Sequence, residues 1–254
     1  MKTVKIIDRR EYGPLLTFTP SKKQPIYNWL YYKEAFSRDF VLNIISELDI
    51  KGPVLDPFCG VGTTLLACKE LGIKSAGIDI LPLAVLASKV KVEDYNIEEL
   101  KSAIKHLSSI KFRPPTWKWR FELFPVSRAM PRRSILEVAF LREVIMSFED
   151  EKIRDFLLLA LVSIIPMISY VVKDGGVLKI DRRKQIIPVR EALIRKLKKM
   201  LSDLINHPIR GPKPTVALGD ARNLEFEPET FNAIITSPPY LNNCLLYTSD
   251  AADD

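Results

Sequence analysis

Cysteine is scarce in this 254-residue chain, where Cys59, Cys68 and Cys244 are all there is. Three thiols at wide, irregular spacing make neither a disulfide framework nor a CxxC zinc knuckle. A reducing, cytoplasmic setting is therefore expected. Histidine is scarcer still: His106 and His207 lie on unrelated polar stretches without metal-ligand spacing, and no metal is expected. Met1 leads into Lys-Thr-Val-Lys and mixed charged sequence, which is not the pattern of a secretory segment. One apolar run, Phe156–Val172, could suggest a membrane span. It has 17 residues, fewer than the roughly 20 a span needs. Pro166 sits near its middle, among Ser163, Ser169 and Tyr170, so it reads as a buried helix kinked or broken at Pro166. No membrane partner is expected.

What is present is an ordinary globular composition, 47% apolar and 27% charged, which excludes collagen-like, low-complexity and wholly disordered chains. The length suits one large domain or a domain with an insertion, and it can bury a core without a disulfide or metal. The net charge is +7. Between Val177 and Met200, nine basic residues stand against Asp181 and Glu191, a surplus equal to that of the whole chain. Such concentration is the footprint of a polyanion binder, although a solvated helix face would carry similar charge.

Residue patterning predicts an α/β order. Arg38–Leu48 has helical spacing, with Phe40, Val41, Ile44, Ile45 and Leu48 on one face. Val54-Leu55-Asp56 is a short buried strand, Pro57–Gly62 a turn, and Thr63–Leu71 a helix closed by Gly72. Ser75–Ile78 is a second strand ending at Asp79, and Pro82–Val90 begins another helix. From 91 to 213 the alternation breaks. That stretch holds Phe112, Trp117, Trp119, Phe121 and Phe124 interleaved with Lys111, Arg113, Lys118, Arg120, Arg128, Arg132 and Arg133. It also holds a basic amphipathic helix with Leu193, Leu197, Met200, Leu201 and Leu204 as its stripe, Arg195, Lys196, Lys198 and Lys199 facing away. Strands then resume at Thr215–Leu218, before Gly219-Asp220, and at Phe231–Ile235, before Thr236-Ser237-Pro238-Pro239-Tyr240. One α/β domain with an insertion of about 120 residues follows, far longer than an ordinary connection.

The turn Asp56-Pro57-Phe58-Cys59-Gly60-Val61-Gly62-Thr63-Thr64 carries the strongest chemical signal. Its glycines let backbone approach a ligand, and the helix start offers free N–H groups. No Gly-Lys-Ser/Thr follows, so it is not a phosphate loop. Leu65 stands where a dinucleotide loop has its third glycine. Asp56 and Asp79 suit a ligand with a cationic amine and a ribose. At the other motif, two prolines fix a strand end rigidly, so that carbonyls could accept from an amino group, and Tyr240 offers a flat face to a base.

Together these motifs resemble those of the amino-methylating DNA methyltransferases, the N4-cytosine/N6-adenine family. The loop at 56–64 resembles that family's cofactor loop, and Ser237–Tyr240 its catalytic tetrapeptide. Pro25–Ser37 resembles its N-terminal closing motif, Gly77–Ile80 its ribose acid, and Gly219–Leu224 its adenine acid. Val61 stands where the family more often has a small residue. The resemblance implies a Rossmann-like class I methyltransferase sheet with a mainly helical insertion. The catalytic domain would be 1–94 with 214–243, and 95–213 a basic target-recognition region. S-adenosylmethionine would be the cofactor, held by Tyr31, Lys33, Asp56, Phe58, Gly60, Gly62, Thr63, Asp79 and Asp220. Asp56 would serve its methionine end, Asp79 its ribose and Asp220 its adenine. Ser237, Pro238, Pro239 and Tyr240 would be catalytic, acting on a base turned out of the duplex. DNA would be the partner, with Arg182, Arg183, Lys184, Arg195 and Lys198 as contacts, and a restriction endonuclease a candidate second partner.

Ser237, first in the tetrapeptide, resembles the N4-cytosine branch, where N6-adenine enzymes more often carry Asp or Asn; separately, a hydroxyl that both donates and accepts suits the N3/N4 edge of cytosine. N6-adenine, an RNA guanine or adenine amine, and an inactive DNA-binding subunit are the alternatives. Cys59 reads as a packed residue, not a nucleophile. Residues 244–254 resemble translated sequencing adapter, so the expectation is a non-native tail on a partial sheet whose C-terminal strands are missing.

Overall fold

The computed structural model describes residues 8–117, 126–174 and 177–238. Three short 3-10 turns (Arg10–Leu15, Pro20–Lys23, Tyr27–Trp29) precede helix α1 (Arg38–Glu47), whose N-terminus is capped by the Ser37 hydroxyl accepting from the Phe40 amide. Strand β1 (Val54–Asp56) is wholly buried. The glycine turn leads into α2 (Thr63–Glu70), then β2 (Ser75–Asp79) and α3 (Pro82–Val92), where proline at the first helical position costs no hydrogen bond.

Helices α4 (Ile97–Ser109), α5 (Val126–Ala129), α6 (Arg132–Met146) and α7 (Glu151–Ser163) follow. Next come α8 (Ile165–Ile168), the hairpin strands β3 (Val171–Asp174) and β4 (Val177–Ile180), and α9 (Val189–Asn206). The chain returns with β5 (Thr215–Leu218) and β6 (Ala233–Ile234). Two compact units result: 1–92 with 209–254, and 93–208.

In the first unit the strands run in the order β5-β2-β1-β6, every neighbouring pair parallel. Parallel pairing demands crossovers, and α2 supplies the one between β1 and β2. Val54 and Ile235 pack with Val41 and Ile45 of α1, with Ala67 and Cys68 of α2, and with Phe36 and Ile73. In the second unit α4, α6 and α7 pack around α9. Leu100, Leu107, Phe140, Leu141, Ile145, Phe156, Leu157, Leu193 and Leu197 are buried there.

The break expected at Pro166 is present: α7 stops at Ser163 and α8 starts at Ile165, because Pro166 lacks the N–H that would continue the ladder. Two other expectations change. The run does not stay helical as far as Val172. The β-branched pair Val171-Val172 joins the antiparallel hairpin instead, so this unit is helical plus a two-stranded ribbon. Lys196 does not face away with its basic neighbours. It is half-buried, and burial, with Lys199 beside it, lowers its ammonium to about 8. Among the described residues no helix is long and apolar enough to cross a membrane.

Candidate active site

Because the four strands are parallel, their C-terminal ends share one edge of the sheet. Asp56 ends β1, Asp79 ends β2, Gly219-Asp220 follow β5, and Thr236-Ser237-Pro238 follow β6. Pairing fixes the register: Asp79 lies beside Leu218, and the Gly219 amide donates to the Asp79 carbonyl at 3.1 Å. The Ile235 amide donates to the Leu55 carbonyl at 3.1 Å. This is the edge at which open α/β sheets take ligands.

The turn at 57–62 is held in place from below. Gly60 and Gly62 have φ of +52° and +79°, a region that side chains make costly. The Gly60 amide donates to Asp79 Oδ2 at 2.8 Å, while Asp79 Oδ1 accepts from the Leu81 amide at 2.9 Å. The Gly60 carbonyl accepts from the buried Ser88 hydroxyl of α3 at 2.8 Å. Ser88 also fills the space where a side chain on Gly62 would sit. On Gly60 a Cβ would meet only the Tyr32 ring, 3.7 Å away. Phe58 is partly exposed, and α2 starts behind the turn at Thr63 with its first amides unpaired within the helix. Open space beside Gly60, together with those amides, fits a small ligand with polar groups.

Asp56 is almost wholly buried, at 1% exposure. Its Oδ1 accepts from the Phe58 amide at 3.2 Å and the Thr236 hydroxyl at 2.8 Å; its Oδ2 accepts from the Thr64 hydroxyl at 2.6 Å. Burial raises its pKa to about 6, against these three hydrogen bonds, which lower it. Cys59 is buried too, and burial pushes its thiol far above the ordinary range, so it is a packing residue.

Ser237 and Pro238 are exposed at the β6 exit. Pro239, Tyr240, residues 244–254 and the Lys118–Phe124 part of the basic aromatic stretch lie outside the described residues. Asp220 is gripped by its neighbour Arg222, whose guanidinium lowers the carboxyl to about 2. Tyr31 packs edge-on against Phe18 and beneath Lys22, and Lys33 is exposed. Tyr32, next along the chain, is the aromatic that reaches the loop. Neither Tyr32 nor Ser88 stood out in the sequence, since one of several tyrosines and a lone helical serine carry no distinguishing pattern.

In the second unit Arg182 and Lys198 are exposed. Arg183 pairs with Asp181 and Arg195 with Glu191. Lys184 donates to the Pro166 and Val171 carbonyls at 2.5 and 2.7 Å, which ties it to the base of the hairpin. Among the described residues no group of histidine, cysteine and acids could hold a metal ion.

Residues 18–90 match the family model N6_N4_Mtase, described as DNA methylase. That span carries the loop, Asp79 and Ser88. Over 90% of its length the chain is 31% identical to the type II methyltransferase M.BsoBI of Geobacillus stearothermophilus. Over 90% it is also 30% identical to type II methyltransferase M.AvaI of Nostoc sp.. A shorter stretch of 51 residues, 20% of this chain and 10% of the relative, is 49% identical to type II methyltransferase M.MjaII of Methanocaldococcus jannaschii. The chain spans about half the length of the first two, 52% and 53%. No solved structure matches it.

Proposed function

We propose that this chain carries the cofactor and catalytic motifs of a site-specific DNA methyltransferase that moves a methyl group from S-adenosylmethionine to an exocyclic amine, N4 of cytosine by preference. The observation that carries the reading is the single sheet edge where Asp56, Asp79, Asp220 and Ser237 emerge from four adjacent strands. Similarity to type II methyltransferases supports the reaction class.

The cofactor would lie along the Gly60 side of the loop, among Phe58, Gly60, Gly62, Thr63 and the carboxylates of Asp79 and Asp220, with Tyr31 and Lys33 from the N-terminal segment. When bound, it supplies an electrophilic methyl on a sulfonium. The chain's own task is alignment, because in-line displacement needs the amine and methyl held at near contact. Ser237 and the Pro238 carbonyl would accept the amine's protons and keep its lone pair out of the ring, while Pro239 and Tyr240 would fix and stack the base. A serine hydroxyl can also donate to cytosine N3, which an ionised aspartate cannot. Arg182, Arg183, Arg195 and Lys198, with Lys184 positioned at the hairpin base, would give the second unit its contacts with phosphates. A cognate restriction endonuclease would be the expected partner in the cell.

The test is incubation of the full-length protein that contains this chain with DNA and labelled S-adenosylmethionine, followed by mass spectrometry of the nucleosides. N4-methylcytosine is the expected product. N6-methyladenine alone would overturn the base preference, and methylation of RNA but not DNA would overturn the substrate. Asp79→Ala should weaken cofactor binding by roughly 1–3 kcal/mol, the loss of hydrogen bonds to an ionised acceptor.

A further inference from the structure

We infer that Thr236 and Thr64 are positioning residues that lock the chain segment bearing Ser237 to the cofactor loop through the Asp56 carboxylate. The inference rests on the proposed function for its meaning and on geometry for its content. β6 has only two residues, Ala233 and Ile234, and among the described residues its one strand neighbour is β1. Few bonds therefore fix the direction in which the chain leaves it. One is the Ile235 amide to the Leu55 carbonyl at 3.1 Å; the next is the Thr236 hydroxyl to Asp56 Oδ1 at 2.8 Å. Ser237 follows immediately.

The same carboxylate reaches three other places. It ends β1, accepts the Phe58 amide of the loop, and accepts the Thr64 hydroxyl from the first turn of α2 at 2.6 Å. Thr64 Oγ1 also lies 3.5 Å from the Ile235 carbonyl, so the first turn of α2 sits against the β6 exit itself. Each carboxylate oxygen already receives a donor from this chain, and the group is shut away from solvent. Asp56, which the resemblance assigned to the cofactor's methionine end, therefore acts through what it holds. Hydrogen bonds to an ionised acceptor in so dry a setting are short and strong. A displacement of the cofactor loop must then be felt at Ser237, and the reverse.

The test uses the full chain with Thr236→Val, Thr236→Ser and Thr64→Val. Four quantities are read: hydrogen exchange of the amides of residues 233–237, S-adenosylmethionine affinity by calorimetry, and kcat and KM for methyl transfer to DNA. Thr236→Val should speed exchange at 235–237 and lower kcat about tenfold or more, with KM and cofactor affinity held within about threefold. Thr236→Ser keeps the donor and should restore both the exchange and kcat. Thr64→Val should weaken cofactor binding and also speed exchange at 235–237, although Thr64 bonds the other carboxylate oxygen. Unchanged exchange in Thr236→Val, exchange rising evenly over the first unit, or no rescue by serine would each overturn the inference. A wild-type chain that binds no S-adenosylmethionine would instead overturn the proposed function, and the exchange arm would still decide the brace.

Discussion

A carboxylate buried at the end of β1 should leave its mark on stability as pH changes. Asp56 titrates near 6 in the folded chain because burial disfavours its charge more than Thr64, Thr236 and Phe58 favour it. In an unfolded chain an aspartate titrates near about 3.9. Over that window the folded state keeps a proton that the unfolded state has released. The stabilisation is thus fully present below about pH 4 and is lost as pH rises through about 6. A gap of about two units corresponds to something on the order of 3 kcal/mol. Urea denaturation of the wild type and of Asp56→Asn from pH 4 to 7 checks this. The variant should show a stability that falls less steeply with pH; identical slopes would mean that Asp56 titrates as an ordinary exposed aspartate. At this scale the sequence was partly legible. Asp56, Gly60, Gly62 and Asp79 announce themselves by position after a strand. Tyr32 does not, because the 27–37 segment is made of turns, and without a fixed period its tyrosines cannot be ranked by the direction they face. Ser88 and the bond between Thr236 and Asp56 were equally hidden, since they depend on which strands become neighbours.

Among elements, α9 shows how a stripe becomes a core. Leu193, Leu197 and Met200 are fully buried against α4, α6 and α7, while Lys198 points to solvent. Leu197→Ala should cost about 2–5 kcal/mol, the transfer and cavity terms of a buried leucine. Lys198→Ala should stay within about 0.5 kcal/mol. Chemical denaturation of both variants distinguishes them, and a leucine variant as stable as the lysine variant would mean the stripe is not packed as described. The strands and helices of the first unit were readable because glycine, proline and short apolar runs punctuate them. The β3–β4 hairpin was not. Val171 and Val172 close an uncharged run that begins in α7, and its few polar residues (Ser163, Ser169 and Tyr170) are too sparse to set a period that separates helix from strand. Lys196 was misread for a related reason: the helix buries a face wide enough to take in this side chain and to draw its ammonium partly out of water.

At the scale of the whole molecule, β2 and β5 are neighbours in the sheet, yet everything from Ile80 to Pro214 is threaded between them. That arrangement governs time as well as shape. Closing so long a loop costs entropy that pairing repays only at the end. The cost falls if residues 93–208, which bury their own apolar side chains, fold first and bring the loop's ends within reach. Refolding from urea with pulsed hydrogen exchange should then protect α6, α7 and α9 before Ala76–Asp79 and Val216–Leu218. Leu197→Ala, by weakening the early unit, should delay the late pairing as well; simultaneous protection of both regions would rule out this order. During synthesis at roughly 5–20 residues per second, β5 leaves the ribosome on the order of ten seconds after β2. For that interval β2 presents an open edge to whatever else is in the cell, and the chain's exposure to misassembly is set by its threading, before any ligand is met.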